Sequence, residues 1–278
     1  MASMPILHHR HKQMIANLSI LLLFALGLAY LGGVIYAATF ADKMIFPEVP
    51  RSYADGPDTF KLTTEDGARI TATYLHAPEA KRLLLYSHGN AADLGMIRTF
   101  LENFQAAGIA VLAYDYPGYG TSSHKASEAG VYAAADAVYR HATETLHFAP
   151  EQITLYGRSL GSGPSCWLAQ RYPIDRLIID GGFTSTFRVM TRIKVLPWDK
   201  FDNIARLPSI QCPVLLIHGT QDETVPFTHA LQNWDILKSP KQKLWVEGAG
   251  HNNIRDIDGQ AYWETVLPFI RGQQHTQT

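Results

Sequence analysis

Ser159 stands in Gly157-Arg158-Ser159-Leu160-Gly161, directly after the strand-like run Ile153 to Tyr156 and before a helix-like run. The glycines permit a sharp strand-to-helix turn that lifts the hydroxyl above a sheet edge, and the new helix turns its first N–H groups toward developing negative charge. The pentapeptide alone is a weak signal, and its position between strand and helix makes it strong. A serine hydroxyl is a poor nucleophile until a base takes its proton. Of the 12 histidines, His251 fits best, in Gly248-Ala249-Gly250-His251-Asn252 just past the strand-like run Lys243 to Val246. His124, His141, His147 and His229 are expected to be solvated, and His8, His9 and His11 precede an apolar segment. The base in turn needs a carboxylate to fix its tautomer and stabilise its charged form. Asp222, just beyond the run Val214 to His218, supplies one and gives the chain order Ser, Asp, His. Asp180 also ends a strand-like run and is the rival, while Glu223 would point elsewhere. The chemistry is acyl transfer through a covalent serine intermediate.

Two backbone N–H groups would hold the oxyanion. His88-Gly89-Asn90-Ala91-Ala92-Asp93-Leu94-Gly95 follows a strand-like run and opens a helix, so we assign the N–H groups of Asn90 and Leu160. Asp93 reads as the cap of that helix. Asp115, before Tyr116-Pro117-Gly118-Tyr119-Gly120, is expected to hold that tight loop.

The elements that must position these residues alternate along the chain. Thr59 to Thr64, Arg69 to Leu75, Arg82 to Ser87, Ala110 to Tyr114, Ile153 to Tyr156, Leu177 to Asp180, Val214 to His218 and Lys243 to Val246 read as strands. Leu94 to Ala107, Glu128 to Thr145, Pro164 to Tyr172 and Thr228 to Leu237 read as helices. This alternation predicts a mainly parallel sheet covered on both faces, with functional groups beyond the carboxyl ends of its strands. Thr184 to Arg206 should add a small cap.

A net charge of -1 with dispersed basic residues offers no field for a phosphate backbone, so nucleic acid is not expected as a partner. Cys166 and Cys212 are the only cysteines, and neither a disulfide scaffold nor a zinc site is indicated. Residues 13–41 carry no Asp, Glu, Lys or Arg and are long enough to span a bilayer. A transmembrane anchor is the preferred reading. A cleaved signal peptide ending near Thr39-Phe40-Ala41 is the competitor. Arg10 and Lys12 on one side balance Lys43 and Arg51 on the other. The histidines before the segment and the free amine tip the orientation toward an inside amino terminus and an extracytoplasmic catalytic domain. The expected organisation is a polar tail over 1–12, the anchor over 13–41, a Pro-rich linker over 42–57 and a catalytic domain over 58–278.

Ser87-His88-Gly89-Asn90, Tyr114-Asp115-Tyr116-Pro117-Gly118-Tyr119-Gly120, Leu155-Tyr156-Gly157-Arg158-Ser159, His218-Gly219-Thr220-Gln221-Asp222 and Trp245-Val246-Glu247-Gly248-Ala249-Gly250-His251-Asn252 together resemble the α/β-hydrolase-domain proteins. Within them the similarity is to the subgroup of membrane-associated protein depalmitoylases and their bacterial relatives, over about Met44 to Ile270. The resemblance implies an α/β-hydrolase fold with an eight-stranded, mostly parallel sheet, helices on both faces and a small cap. It puts the triad on Ser159, Asp222 and His251 and the oxyanion loop on His88 to Asn90. The depalmitoylases of eukaryotes attach through an amino-terminal cysteine cluster, and this chain carries a hydrophobic helix instead. The expected substrates are acyl esters or thioesters of lipids or lipidated proteins, with no cofactor and with the bilayer engaged through residues 13–41. A peptidase acting on short peptides and a non-catalytic membrane-tethered binding module are the alternatives.

Overall fold

The computed structural model of the chain describes residues 4–273. The first three residues of the expected tail and the last five of the expected catalytic domain lie outside them. The chain divides after Met44 into two compact units.

The first unit is a single helix, α1 (Met4–Ile45). It runs beyond the expected 13–41 at both ends, because no Pro or Gly lies between Pro5 and Gly27 or between Gly33 and Pro47 to stop it. Residues His11–Ile45 are long and apolar enough to cross a membrane, with a mean hydropathy of 2.4 over the most apolar window. Leu23 and Phe24 are each about two-thirds exposed, where a soluble helix would bury such side chains.

In the second unit the described residues form one sheet of eight strands. In chain order its elements are β1 (Thr59–Thr63), β2 (Arg69–Leu75), β3 (Leu83–Ser87), α2 (Leu94–Ala106), β4 (Ala110–Tyr114), α3 (Glu128–Arg140), β5 (Ile153–Arg158), α4 (Ser162–Arg171) and β6 (Arg176–Asp180). Two short helices, α5 (Thr186–Thr191) and α6 (Asn203–Arg206), occupy the expected cap region; β7 (Val214–Gly219), α7 (Phe227–Ile236), β8 (Lys241–Val246) and α8 (Ile254–Ile270) complete the unit. The spatial order is β1-β2-β4-β3-β5-β6-β7-β8. β2 pairs antiparallel with β1 and β4, and the other pairings are parallel.

The alternation along the strands builds two cores. Leu83, Leu85, Ile153, Leu155 and Leu216 point to one face with Val131 and Val138 of α3 and Leu168 of α4. Leu84, Tyr86, Tyr156, Ile178 and Leu215 point to the other with Phe104 of α2 and Tyr262, Val266 and Phe269 of α8. Parallel strands buried on both faces read as continuous apolar runs, as these do. The sequence reading omits α8: a kink at Asp258, followed by Gly259, interrupts its period, and Pro268 lies near its end. Tyr262, Val266 and Phe269 nonetheless keep one face against the sheet.

The expected linker over 42–57 is replaced by packed structure. α1 runs to Ile45, and Phe46 is buried in the core, edge-on to Tyr119 and Phe201. Asp93 accepts hydrogen bonds from the Ser52 backbone N–H, at 2.7 Å, and from its hydroxyl, and Tyr53 donates to Asp115. The segment that reads as a linker is a strap tied down by Phe46, Ser52 and Tyr53. If so, Phe46→Ala should destabilise the globular unit by about 3 kcal/mol, the usual cost of emptying an aromatic site in a core. Urea unfolding of the full chain would measure this, and an unchanged midpoint would restore the linker reading.

Candidate active site

Ser159 follows β5 at a φ of 51°, the left-handed region a non-glycine residue seldom occupies. The surroundings enforce this conformation. A side chain at Gly157 would meet the Gly161 carbonyl oxygen at 2.5 Å, and one at Gly161 would overlap the Ser87 carbonyl oxygen. Only glycines let β5 turn into α4 this close to the end of β3. The nucleophile candidate is thereby held at the carboxyl edge of the sheet, half-buried.

His251 Nε2 lies 3.0 Å from Ser159 Oγ, and His251 Nδ1 lies 2.6 Å from Asp222 Oδ2. A carboxylate only accepts, so Nδ1 carries the proton and Nε2 is left to accept the serine hydroxyl. Asp222 Oδ1 accepts from the backbone N–H groups of Thr224 and Val225 at 2.9 and 2.7 Å, which aims Oδ2 at the histidine. His218 Nε2 approaches the same Oδ2 at 3.3 Å while donating to the Val225 carbonyl. Burial alone would raise the Asp222 pKa, but hydrogen bonds from His218 and His251 outweigh it and hold the carboxyl well below the usual range. Asp222 is therefore ionised at neutral pH.

The rival carboxylate is engaged elsewhere. Asp180 Oδ2 accepts from Tyr156 OH at 2.7 Å and lies 3.7 Å from Arg158 Nε, and Tyr156 OH in turn meets Tyr262 OH. Glu223 is exposed. Arg158, which sequence reasoning passed over although it stands beside Ser159, ties this network to His251. Its guanidinium donates to the His251 carbonyl and to Asn252 Oδ1 at 3.1 Å, with Nη1 3.3 Å from His251 Nε2. The histidine loop is thus gripped from one side by Asp222 and from the other by Arg158.

The loop after β3 lies against the nucleophile, since a Cβ on Gly89 would stand 3.6 Å from Ser159 Cβ. Asn90 lines the cleft beside Ser159, and Leu160 follows Ser159 as a buried residue. Tyr116 donates to the His88 carbonyl, and Tyr119 donates to the Asn90 carbonyl at 2.8 Å. The Asn90 side-chain amide donates to the Ile45 carbonyl at 3.1 Å. Asp93 caps α2 through the Met96 N–H. Asp115 does a different job from the one its sequence position suggests: its carboxylate accepts from the Leu94 N–H and from Tyr53, so it anchors the start of α2.

The cleft encloses about 410 Å³. Met96, Ile97, Phe100 and Ile254 supply apolar walls, and Arg158 and Arg255 supply charge. Among the described residues no group of three His, Cys, Asp or Glu side chains stands close enough to hold a metal. His229 departs from its expected solvation: it is buried, with Nδ1 accepting from the Thr184 N–H at 3.2 Å.

A sequence profile described as the α/β-hydrolase fold matches residues 82–195. Alpha/beta hydrolase domain-containing protein 17B of Xenopus tropicalis is 39% identical over 220 residues, covering 78% of this chain and 76% of its own. The protein of the same name in Homo sapiens is 38% identical over the same shares. Among solved structures, an esterase of Pyrococcus furiosus superposes with a TM-score of 0.68 at 16% identity, over 82% of this chain and 97% of that one. At that identity the likeness is one of fold.

Burial lowers the His229 pKa from 6.5 to about 4. The unfolded chain takes up this proton near pH 6.5 and the folded chain resists it until about pH 4, so the contribution is complete above 6.5 and is lost as the pH falls toward 4. The loss is at most about 3 kcal/mol. Asp222, lowered from 3.8, acts in a separate window below that value. Urea midpoints between pH 7.5 and 4.5 should therefore fall in the wild type, and His229→Asn should flatten the slope whatever it does at pH 7.5. An equal slope in both proteins would remove His229 as the cause.

Proposed function

The chain belongs to the α/β-hydrolase-domain family that includes the 17B and 17C proteins, and from that premise we propose that it is a membrane-anchored serine hydrolase cleaving acyl esters or thioesters through Ser159, His251 and Asp222. The observation that carries the reading is the unbroken line from Ser159 Oγ through the imidazole to Asp222, at 3.0 and 2.6 Å. Hydrolase chemistry follows from the family. The assignment of roles rests on the geometry and on the physical chemistry of these groups.

Ser159 Oγ attacks the acyl carbonyl as His251 Nε2 takes its proton, and ionised Asp222 stabilises the imidazolium that forms. The N–H groups of Asn90 and Leu160 receive the oxyanion. The leaving alkoxide or thiolate departs with the proton from His251. Water then enters, gives its proton to the same nitrogen and attacks the acyl-enzyme, and Ser159 is regenerated as the acid leaves. The apolar wall of Met96, Ile97 and Phe100 suits the hydrocarbon of the acyl group.

The resemblance to depalmitoylases favours thioesters of lipidated proteins or esters of lipids, presented to an enzyme held at a bilayer. The length and exposure of the apolar part of α1 support an anchor over a cleaved signal peptide. The histidines before it support an extracytoplasmic catalytic unit.

Ser159→Ala should leave a folded chain that no longer labels with a fluorophosphonate, and wild-type labelling would end the assignment. Asp222→Asn should lower kcat by about 10⁴ with little effect on KM, because it disturbs the imidazole and leaves the cleft intact. A comparable loss in Asp180→Asn alone would move the carboxylate role there.

Across acyl esters of increasing length, kcat/KM should rise by at most about fourfold per methylene, the equivalent of about 0.8 kcal/mol, until the groove is full. Aminoacyl amides cleaved faster than medium-chain esters would point to a peptidase. Full-length chain should stay with membranes through carbonate extraction, and a mature amino terminus near Asp42 in membrane-free material would instead mark a signal peptide.

A further inference from the structure

The globular unit hides its apolar side chains well, with one local exception. Among the described residues from 45 onward, the large apolar side chains left exposed are Met96, Met190, Ile193, Val195, Leu231 and Ile257. Half of them fall between Met190 and Val195, where Met190 is 71%, Ile193 66% and Val195 46% exposed. Every residue of this run is exposed, and its sequence, Met190-Thr191-Arg192-Ile193-Lys194-Val195, interleaves the apolar side chains with two cations. No acidic residue occurs from Thr184 to Trp198.

The run is the tip of a built finger. At its base Arg188 holds Asp199 through Nε and Nη2 at 3.1 and 2.7 Å, and Ser185 donates to the other oxygen of that carboxylate at 2.6 Å. Thr186 donates to the Lys200 carbonyl through both its N–H and its hydroxyl, and Phe187 lies edge-on to Trp198. The tip reverses at Arg192, with φ 67°, and Thr191 Oγ1 donates to the Ile193 carbonyl at 2.7 Å. Asp199 at the base is thus spent on Arg188, while Arg192 and Lys194 make no ion pair among the described residues. A rigid base that presents exposed apolar side chains beside Arg192 and Lys194 is chemically matched to an interface with anionic headgroups above hydrocarbon.

We propose that the Met190–Val195 tip docks on an anionic lipid surface, with Met190, Ile193 and Val195 entering the interfacial layer and Arg192 and Lys194 meeting lipid phosphates. The proposal rests on the anchored reading of α1. α1 ends at Ile45, and the next residue, Phe46, is buried in the core of the globular unit. The finger departs after β6, the strand beside β5, and the nucleophile follows β5 at the same edge. Docking would steady this edge at the surface where acyl substrates are concentrated.

The test uses the full chain in phosphatidylcholine vesicles with and without phosphatidylserine. Ile193→Cys can be labelled selectively with an environment-sensitive fluorophore, because burial pushes the thiols of Cys166 and Cys212 up to about 12. The label should shift to shorter wavelength and be quenched by nitroxides on the lipid chains, more so with phosphatidylserine present. A label quenched only by aqueous iodide overturns the proposal, as does one already shielded in dilute detergent, which would mean a second copy or a protein covers the tip. Replacing Met190, Ile193 and Val195 with serine should slow hydrolysis of a vesicle-borne long-chain ester about tenfold and spare a soluble short-chain ester. Equal loss on both substrates overturns it too. Carbonate extraction of the same vesicles separates the two readings: retained protein with a water-exposed label fails the finger alone, whereas released protein fails the anchor.

Discussion

The contact on which the site depends is the close approach of the Ser159 turn to the end of β3. Gly161 stands so near the Ser87 carbonyl that a methyl group there would overlap it, and Gly157 is equally hemmed in by Gly161 and Ser162. Two adjacent parallel strands therefore end together, and the chain leaving one is forced through a left-handed residue directly beside the loop leaving the other. The strain at Ser159, of the order of 1–3 kcal/mol for such a conformation, is sustained by the cores on the two faces of the sheet. In return the Ser159 hydroxyl and the loop proposed to hold the oxyanion share one small volume.

The base is held by a different logic. Its loop carries Gly248 and Gly250 and has little hydrophobic packing of its own beyond Ala249, so polar contacts must fix it. Asp222 takes one ring nitrogen, Arg158 takes the loop carbonyl and Asn252, and Asn253 accepts from the Gly250 N–H at 2.7 Å. Arg158 can be half-buried there because Asp180 offsets its charge and the hydroxyls of Tyr156 and Tyr262 extend the network. Its Nη1 stands 3.3 Å from His251 Nε2, the nitrogen that faces Ser159 Oγ. Between them Arg158 and Asp222 fix the position of the His251 ring.

Much of this was legible in the sequence because it follows from short-range patterns. β2 and β4 carry the bounds read from apolar runs and turn residues; α2, α4 and α7 shift by a residue or two at their ends, while the helix expected over Glu128 to Thr145 is α-helical only to Arg140 and closes in a π-helical turn, His141–Thr145. The candidate residues lie at strand ends, where order and spacing speak directly. What the sequence concealed depends on contacts distant along the chain. His229 sits in a helix and is buried with its ring nitrogen against Thr184, 45 residues away. α8 has a readable face but a break at Asp258 that only packing on the sheet overrides. Asp115 looks like a loop holder until Tyr53, 62 residues earlier, is seen to donate to it. Arg158 was visible in the motif itself, yet its partners Asp180, His251 and Asn252 come from two other elements.

The strap from Ile45 to Tyr53 bears on how the site is assembled. The Asn90 amide holds the Ile45 carbonyl, Ser52 meets the cap of α2, and Tyr53 reaches the carboxylate that also receives the first N–H of α2. The first two contacts land on the segment between β3 and α2 that is assigned to receive the oxyanion, and the third reaches the start of α2 through Asp115 at the end of β4. An unpaired buried carboxylate at Asp93 or Asp115 would cost more than the lost hydrogen bond itself, so removing the strap would free those groups to re-pair and let the loop relax. The residues just after α1 are therefore part of the frame that fixes the donors at the cleft. Because catalysis by such donors requires them to be in place before charge develops, order in the strap carries directly into the preorganisation of the site.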